Sequence, residues 1–193
     1  MSLSSLEKQY RHVAAEAASL PSDQVFFASS ELRSQLTSIL LSSTSSTTTT
    51  STAKRLWKCC FYNVIGCYRK VLKQSSEKKK DATHHRLKQR YSQFLDTATT
   101  FYLSLLNQLR SLPNRGILEQ QTLLYLGDIA RYRSRECMPN GPSAQCKASQ
   151  EFYIAAARAY VDSGNPHNQL AVLATYVDRD LDAVYHYCRA LTT

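Results

Sequence analysis

Two arginines near the end of an otherwise apolar segment, "LYLGDIARYRSR" at residues 124–135, have the spacing to bind an anion. Arg131 and Arg135 lie one turn apart on a helix and share that stripe with Asp128. A guanidinium group is planar and can donate two parallel hydrogen bonds to a phosphate. Arg131 is therefore a candidate phosphate ligand, whereas we interpret Arg133 as solvated. An ordinary ion pair between Asp128 and Arg131 is the alternative.

A second set of polar side chains follows one stripe of the predicted helix at residues 54–73. Its members, spaced at i, i+4, i+11 and i+15, are Lys58, Tyr62, Arg69 and Lys73. If this helix packs beside the one that carries Arg131, two guanidinium groups and a tyrosine hydroxyl converge on one phosphate. The pattern predicts a phosphate site that contains Arg69 and Arg131.

Residue sets typical of catalysis are missing from the sequence. It has no Gly-rich phosphate loop, no HExxH motif and no GxSxG motif, and its five histidines are scattered. Of the six cysteines, Cys59, Cys60 and Cys67 lie on one predicted helix and the others form no CxxC pair. We therefore expect no enzyme activity, no cofactor and no metal ion, and we interpret the chain as a binding module.

Helical periodicity runs through nearly the whole chain and predicts an all-α fold, as a single domain over residues 1–193. Apolar spacing predicts helices at about residues 3–20, 29–41, 54–73 and 82–112. The Ser/Thr-rich tract at 42–53 is predicted to be a flexible loop. No stretch approaches the roughly 18 apolar residues of a membrane span, and the N-terminus lacks the apolar core of a secretory signal. We expect a cytoplasmic protein without a membrane partner, with the nucleus as a second location.

Residues 115–193 have the spacing of two tetratricopeptide-like repeats. In the second half, repeat positions 4, 7, 8, 11, 20, 24 and 27 are His167, Leu170, Ala171, Ala174, Ala183, Tyr187 and Ala190. In the first half, positions 4, 7, 8 and 11 are Leu123, Leu126, Gly127 and Ala130. About nine extra residues follow near "ECMPNGPSA", and positions 20, 24 and 27 are then Ala148, Phe152 and Ala155. Paired helices of this kind stack as an α-solenoid with a concave face.

The net charge of +9 is concentrated in one segment. Residues 69–90 contain nine Lys and Arg against Glu77 and Asp81, a local balance of +7. This local excess indicates an acidic partner at one place rather than along the whole chain. The segment also supports a rival hypothesis, binding to single-stranded nucleic acid, although apart from Tyr91, which follows it, it lacks aromatic residues on which bases could stack.

Three segments resemble a known family: "RLWKCCFYNVIGCYRKV", "YLGDIARYR" and "NPHNQLAVLATYVDRDLDAVYHYCRAL". They look like the N-terminal domain of the Est/SMG proteins, which include ever-shorter-telomeres proteins and adaptors of nonsense-mediated mRNA decay. The resemblance covers about residues 54–193, and "LDAVYHYCRAL" and "LWKCCFYNVI" are most similar to the branch numbered six. It implies a 14-3-3-like helical bundle with tetratricopeptide repeats. We expect the family's later helical hairpins and nuclease domain to lie outside this chain.

The same segments resemble the phosphoserine-binding 14-3-3 proteins, and this resemblance implies roles for individual residues. "YNVIGCYR" places Arg69 at one phosphate-binding arginine, and "GDIARYR" places Arg131 and Tyr132 at the other arginine and the tyrosine. Asn168 falls where that fold offers an asparagine to the peptide backbone. The sequence departs from the pattern at Tyr62, which occupies the position of a phosphate-binding lysine. Lys58 or Arg135 could supply the missing positive charge.

The family resemblance implies an adaptor that binds phosphoserine or phosphothreonine peptides in nonsense-mediated mRNA decay. The implied partners are the phosphorylated up-frameshift RNA helicase and other mRNA decay factors, and pairing with a paralogue as a heterodimer is left open. The alternative is binding to RNA, telomerase RNA or single-stranded telomeric DNA through residues 69–90. An unphosphorylated acidic peptide is a further alternative ligand.

Overall fold

The computed structural model describes Lys8 and residues 23–42, 46–75, 82–113, 116–137 and 142–193. Over these residues the chain forms seven helices and no strand, which confirms the predicted all-α fold. The predicted helix at residues 3–20 lies outside the described residues, apart from Lys8. Within the same described ranges, no helix has both the length and the apolar character needed to span a membrane.

The helices follow the predicted order. The first three are α1 (Asp23–Ser42), α2 (Ser46–Trp57 and Asn63–Ser75, joined by the π-helical turn Lys58–Tyr62) and α3 (Ala82–Arg110). The last four are α4 (Gly116–Cys137), α5 (Pro142–Ala159), α6 (Asn165–Thr175) and α7 (Asp180–Leu191). The chain divides into two compact units, residues 1–93 and 94–193, with the boundary inside α3. The single-domain interpretation stays a prediction.

In the first unit, α1 packs against α2 through a stripe of fully buried leucines at i, i+4 and i+8: Leu32, Leu36 and Leu40. The apolar spacing of α2 buries Trp57, Phe61, Val64 and Tyr68 on one face, whereas Val71, at the next position of this stripe, is half-buried. The ring of Tyr68 lies 5.2 Å from that of Tyr91 on α3, measured between ring centroids. Aromatic and aliphatic burial of this kind stabilises the unit mainly by removing apolar surface from water.

The prediction of a flexible loop at residues 42–53 was wrong. Ser42 is the last residue of α1, residues 46–53 are helical, and residues 43–45 lie outside the described part of the chain. The physical reason is that two positions of the buried helical stripe are threonines, which read as polar in the sequence. Thr49, Thr52, Ala53 and Leu56 are spaced at i, i+3, i+4 and i+7, and all four are buried. The threonine methyl groups take the place of larger apolar side chains in this stripe.

In the second unit, α4 and α5 form an antiparallel pair, as do α6 and α7. The start of α4 meets the end of α5, because Gln120 Nε2 donates to the carbonyl oxygen of Tyr160 at 2.7 Å. A Cβ atom at Gly116 would lie 3.0 Å from the carbonyl oxygen of Ala159. At the start of α6, Gly164 lies against the backbone of Ala190 at the end of α7, where a side chain would have no room. These close approaches fix the register of both pairs.

The predicted register of α5 in the first repeat was wrong by one residue. Ala148 is exposed and Phe152 and Ala155 are only half-buried, whereas their C-terminal neighbours Ser149, Tyr153 and Ala156 are fully buried. The insertion before α5 thus adds ten residues to the repeat spacing rather than nine, and the physical reason is that the space left by Gly127 on α4 takes the ring of Tyr153. Tyr153 therefore points into the α4–α5 interface.

Candidate functional site

Arg131 on α4 is held by two side chains within the second unit. Its Nη2 atom donates to Asp128 Oδ1, one turn earlier on α4, at 2.7 Å. Its Nε atom donates to the hydroxyl of Tyr153 on α5 at 3.2 Å. The Tyr153 hydroxyl donates in turn to the same Asp128 oxygen at 2.7 Å. Asp128, Arg131 and Tyr153 thus close a ring of hydrogen bonds, the arginine triad, across two helices.

The triad depends on a missing side chain at Gly127. A Cβ atom there would overlap three atoms of the Tyr153 ring, Cδ1, Cε1 and Cζ. The glycine lets the tyrosine ring lie directly on the α4 backbone with none of its surface exposed. The ring can then place its hydroxyl between the carboxylate of Asp128 and the guanidinium of Arg131.

The electrostatic surroundings fix the protonation states of Arg131 and Tyr153. Burial disfavours the charged form of Arg131, but the neighbouring Tyr153 and Asp128 outweigh it and raise the pKa of Arg131 above its usual value. Burial, followed by the negative charge of Asp128, raises the pKa of Tyr153. At neutral pH Arg131 is therefore a cation and Tyr153 a neutral hydroxyl that can donate.

The triad confirms the ion pair between Asp128 and Arg131, the alternative that the sequence left open. The pair is largely but not fully withdrawn from water, with 18% of the Arg131 side chain and 19% of the Asp128 side chain exposed. Two of the three guanidinium nitrogens are used, Nε and Nη2. Among the described residues, its third nitrogen, Nη1, has no hydrogen-bond partner.

The other predicted residues of this segment lie in three different environments. The ring of Tyr132 is buried, and its centroid lies 5.3 Å from Arg131 Cζ, which is within cation–π range. Arg135 is exposed, and its Cζ lies 5.8 Å from the ring centroid of Tyr176. Arg133 was wrongly interpreted as solvated, because it forms a 2.6 Å ion pair with Asp96 on α3.

The predicted site residues in the first unit lie on α2. Lys58 and Tyr62 begin and end its π-helical turn, and both are exposed, with 49% of Tyr62 accessible. The Tyr62 ring lies 6.3 Å from that of Trp57 between centroids, which gives it one apolar neighbour. Arg69 is half-buried on the α-helical segment that follows. Since Arg69 and Arg131 belong to different units, their joint action on one phosphate stays a prediction.

Asn168, the predicted ligand of a peptide backbone, is exposed in the first turn of α6. Its backbone N–H donates to the carbonyl oxygen of Gly164 at 2.9 Å, so the helix fixes the position of its Cα atom. The side chain is accessible from solvent, as a peptide ligand would require. Its role stays a prediction.

A pair of histidines was not singled out from the sequence. His167 on α6 and His186 on α7 approach to 3.1 Å between their Nδ1 atoms, and their rings stack at 5.3 Å between centroids. Two imidazoles alone do not complete a metal site, and the described residues contain no cluster of three or more His, Cys, Asp or Glu that could hold a metal ion. We interpret the pair as part of the α6–α7 contact.

Comparison with known proteins identifies the family. Residues 51–115 match the family model described as telomerase activating protein Est1, and residues 149–193 match the model described as Est1 DNA/RNA binding domain. The telomerase-binding protein EST1A of Danio rerio is 30% identical over 189 residues, which cover 84% of this chain and 12% of that protein. The chain belongs to the Est/SMG family.

Two further relatives come from the decay branch of the Est/SMG family. The nonsense-mediated mRNA decay factor SMG7-like of Arabidopsis thaliana is 35% identical over 150 residues, 70% of this chain and 16% of the relative. The factor SMG7 of Danio rerio is 27% identical over 168 residues, 70% of this chain and 13% of the relative. The chain thus spans only 12% to 16% of the length of these relatives. The assignment to the branch numbered six stays a prediction, since relatives of both names match.

Proposed function

We propose that this Est/SMG chain is an adaptor in nonsense-mediated mRNA decay that binds phosphoserine or phosphothreonine peptides, including those of the phosphorylated up-frameshift RNA helicase. Membership of a family whose relatives are named as decay factors supports the pathway. The observation that carries the ligand class is the arginine triad, which presents a fixed guanidinium with an unused Nη1 edge. Arg69 supplies the second guanidinium in this proposal, by resemblance to 14-3-3 proteins.

A guanidinium that is already oriented suits a phosphate better than a mobile side chain does. Immobilising a long, flexible side chain costs about 0.5–1.5 kcal/mol on binding, and the triad has met that cost during folding. Tyr132 holds the guanidinium against its ring. Arg135, on the same helix, is an accessible cation that adds to the local positive potential. Each charge-assisted hydrogen bond to the phosphate contributes about 1.5–3 kcal/mol.

The experiment is a binding titration with a short degenerate phosphoserine peptide library and with the same library carrying unmodified serine. We expect tighter binding of the phosphorylated library. Replacing Arg131→Glu should weaken that binding at least about tenfold, since 1.4 kcal/mol corresponds to a factor of ten. Arg158→Glu, on an exposed arginine of α5 in the same unit, is the matched control and should change binding little. Equal affinity of the unaltered protein for both libraries contradicts the proposal.

Two further variants test the first unit. Arg69→Glu should lower phosphopeptide affinity nearly as much as Arg131→Glu does. Tyr62→Lys should raise it, because Tyr62 stands where the 14-3-3 pattern has a phosphate-binding lysine and its exposed position can accommodate the longer cation. Loss of binding with Arg131→Glu but none with Arg69→Glu would restrict the site to the second unit.

Nucleic-acid binding is the second candidate function, and the description of the family model that matches residues 149–193 favours it. The basic segment at 69–90 would supply the phosphate contacts, although residues 76–81 lie outside the described part of the chain. Single-stranded RNA in the same titration tests this candidate. Replacing Lys78, Lys79 and Lys80 by alanine should flatten the salt dependence of RNA binding and leave phosphopeptide affinity unchanged. If RNA alone binds and only this variant loses binding, the second candidate replaces the first.

A further inference from the structure

The hydrogen bonds of the arginine triad are arranged around one oxygen and one hydroxyl. Asp128 Oδ1 accepts from both Arg131 Nη2 and the Tyr153 hydroxyl, and that hydroxyl also accepts from Arg131 Nε. The hydroxyl therefore occupies the Nε edge that a second carboxylate oxygen would otherwise take in a bidentate ion pair. It limits Asp128 to a single contact with the cation.

We propose that Tyr153, seated on Gly127, is a positioning residue for the phosphate site: its hydroxyl accepts from Nε of Arg131 and so fixes the orientation of the guanidinium. This inference rests on the proposed function. Tyr153 itself does not touch the ligand, because its ring is fully buried between α4 and α5. It acts through the orientation of Arg131.

The separate contributions of the two helices explain why a tyrosine is required at this point. Asp128 and Arg131 lie on the same helix at i and i+3, so α4 alone would allow the guanidinium to rotate about its long side chain. The contact from α5 adds a second fixed point at Nε, 3.2 Å from the hydroxyl. Together with the covalent bond from Cδ to Nε, the two hydrogen-bonded nitrogens Nε and Nη2 fix the plane of the guanidinium. The Nη1 edge is then held in one direction.

The test is Tyr153→Phe, which removes the hydroxyl and leaves the ring on Gly127. The quantity measured is the ratio of affinities for the phosphorylated and unmodified peptide libraries. A pure loss of stability does not change this ratio for the folded protein. We expect the ratio to fall about threefold to tenfold, the effect of one net hydrogen bond. The control is Tyr102→Phe, on a buried tyrosine of the same unit that is not a member of the triad.

A double-mutant cycle tests whether Tyr153→Phe changes the affinity ratio through Arg131. In an Arg131→Lys background, which keeps the charge and removes the Nε atom, Tyr153→Phe should lower the ratio no further. Gly127→Ala is an independent variant that keeps all three side chains but displaces the tyrosine ring, and it should lower the ratio as Tyr153→Phe does.

The outcomes separate the two proposals. If the unaltered protein does not prefer phosphorylated peptides, the proposed function fails. If it does prefer them and Tyr153→Phe leaves the ratio unchanged, or if the two substitutions act additively, the positioning role of Tyr153 is overturned while the proposed function stands. Circular dichroism establishes that each variant is folded before its ratio is interpreted.

Discussion

Removing the carboxylate of Asp128 should destabilise the second unit, because Arg131 and Tyr153 both lose the oxygen that accepts their hydrogen bonds. Asp128 accepts two hydrogen bonds of 2.7 Å, one from a cation and one from a buried hydroxyl. Breaking a fully buried charge pair by removing one partner costs about 3–5 kcal/mol. Because 18–19% of each side chain is exposed, water recovers part of this loss. We therefore expect Asp128→Ala to lower the free energy of unfolding by about 2–4 kcal/mol.

The assay is urea unfolding followed by circular dichroism, with Asp162→Ala as the matched control. Asp162 is exposed, and its replacement should change stability by no more than about 0.5 kcal/mol. Tyr153→Phe should cost about 1 kcal/mol, since it removes one hydroxyl and keeps the ring in place. The double variant should cost less than the sum of the two, because the partners share Asp128 Oδ1. An Asp128→Ala variant as stable as the Asp162→Ala control would refute the reasoning.

Three further predictions concern stability. The pKa of His167 is lowered by burial and, to a smaller extent, by the charge of Arg189. The pKa of His186 is lowered by burial, by His167 and by Arg179, and Asp182 acts in the opposite direction. The contribution of the two histidines to folding stability should therefore be complete above the ordinary histidine pKa of about 6.5. It should be lost as the pH falls through their lowered pKa values in the folded protein. Melting temperatures measured across this pH range test the prediction, and His167→Gln should weaken the pH dependence. Ser149→Ala should raise stability by about 1 kcal/mol, since the buried hydroxyl has no hydrogen-bond partner among the described residues, and a lower urea midpoint would contradict this. Asp178→Gly should raise the melting temperature slightly, because Asp178 has φ of 54° at the end of α6, where glycine is unstrained; a lower melting temperature would count against it.

The sequence predicted most of the fold because apolar periodicity determines which face of each helix is buried. The helices predicted at about residues 54–73 and 82–112 correspond to the later part of α2 and to α3. The Ser/Thr tract was missed because threonine was counted only as polar. In the structure Thr49 and Thr52 share a buried stripe with Leu56, and the i, i+3, i+4, i+7 spacing was present in the sequence. A pattern search that treats threonine as partly apolar finds this helix.

The arginine triad could be predicted only in part. The contact between Asp128 and Arg131 follows from an i, i+3 spacing on one helix and was recognised as an alternative. Tyr153 was missed because its position depends on how α5 aligns with α4, and a one-residue error in the length of the insertion gives the interface position to Phe152. The signal that corrects the alignment is Gly127. A glycine inside a helix usually marks a close approach, and a large ring on the facing helix is the side chain that fills it.

The ion pair and the phosphate site were treated as competing explanations of Arg131, but the geometry makes them compatible. A guanidinium has five N–H donors, and the triad uses one on Nε and one on Nη2. A bidentate ion pair would occupy Nε and Nη2 of Arg131 with the two oxygens of Asp128. Here the tyrosine hydroxyl takes the Nε edge, so the carboxylate orients the guanidinium through one contact only. The same residues that stabilise the α4–α5 pair can therefore present the remaining donors to an anion, and the discriminating quantity is phosphate preference rather than the presence of the ion pair.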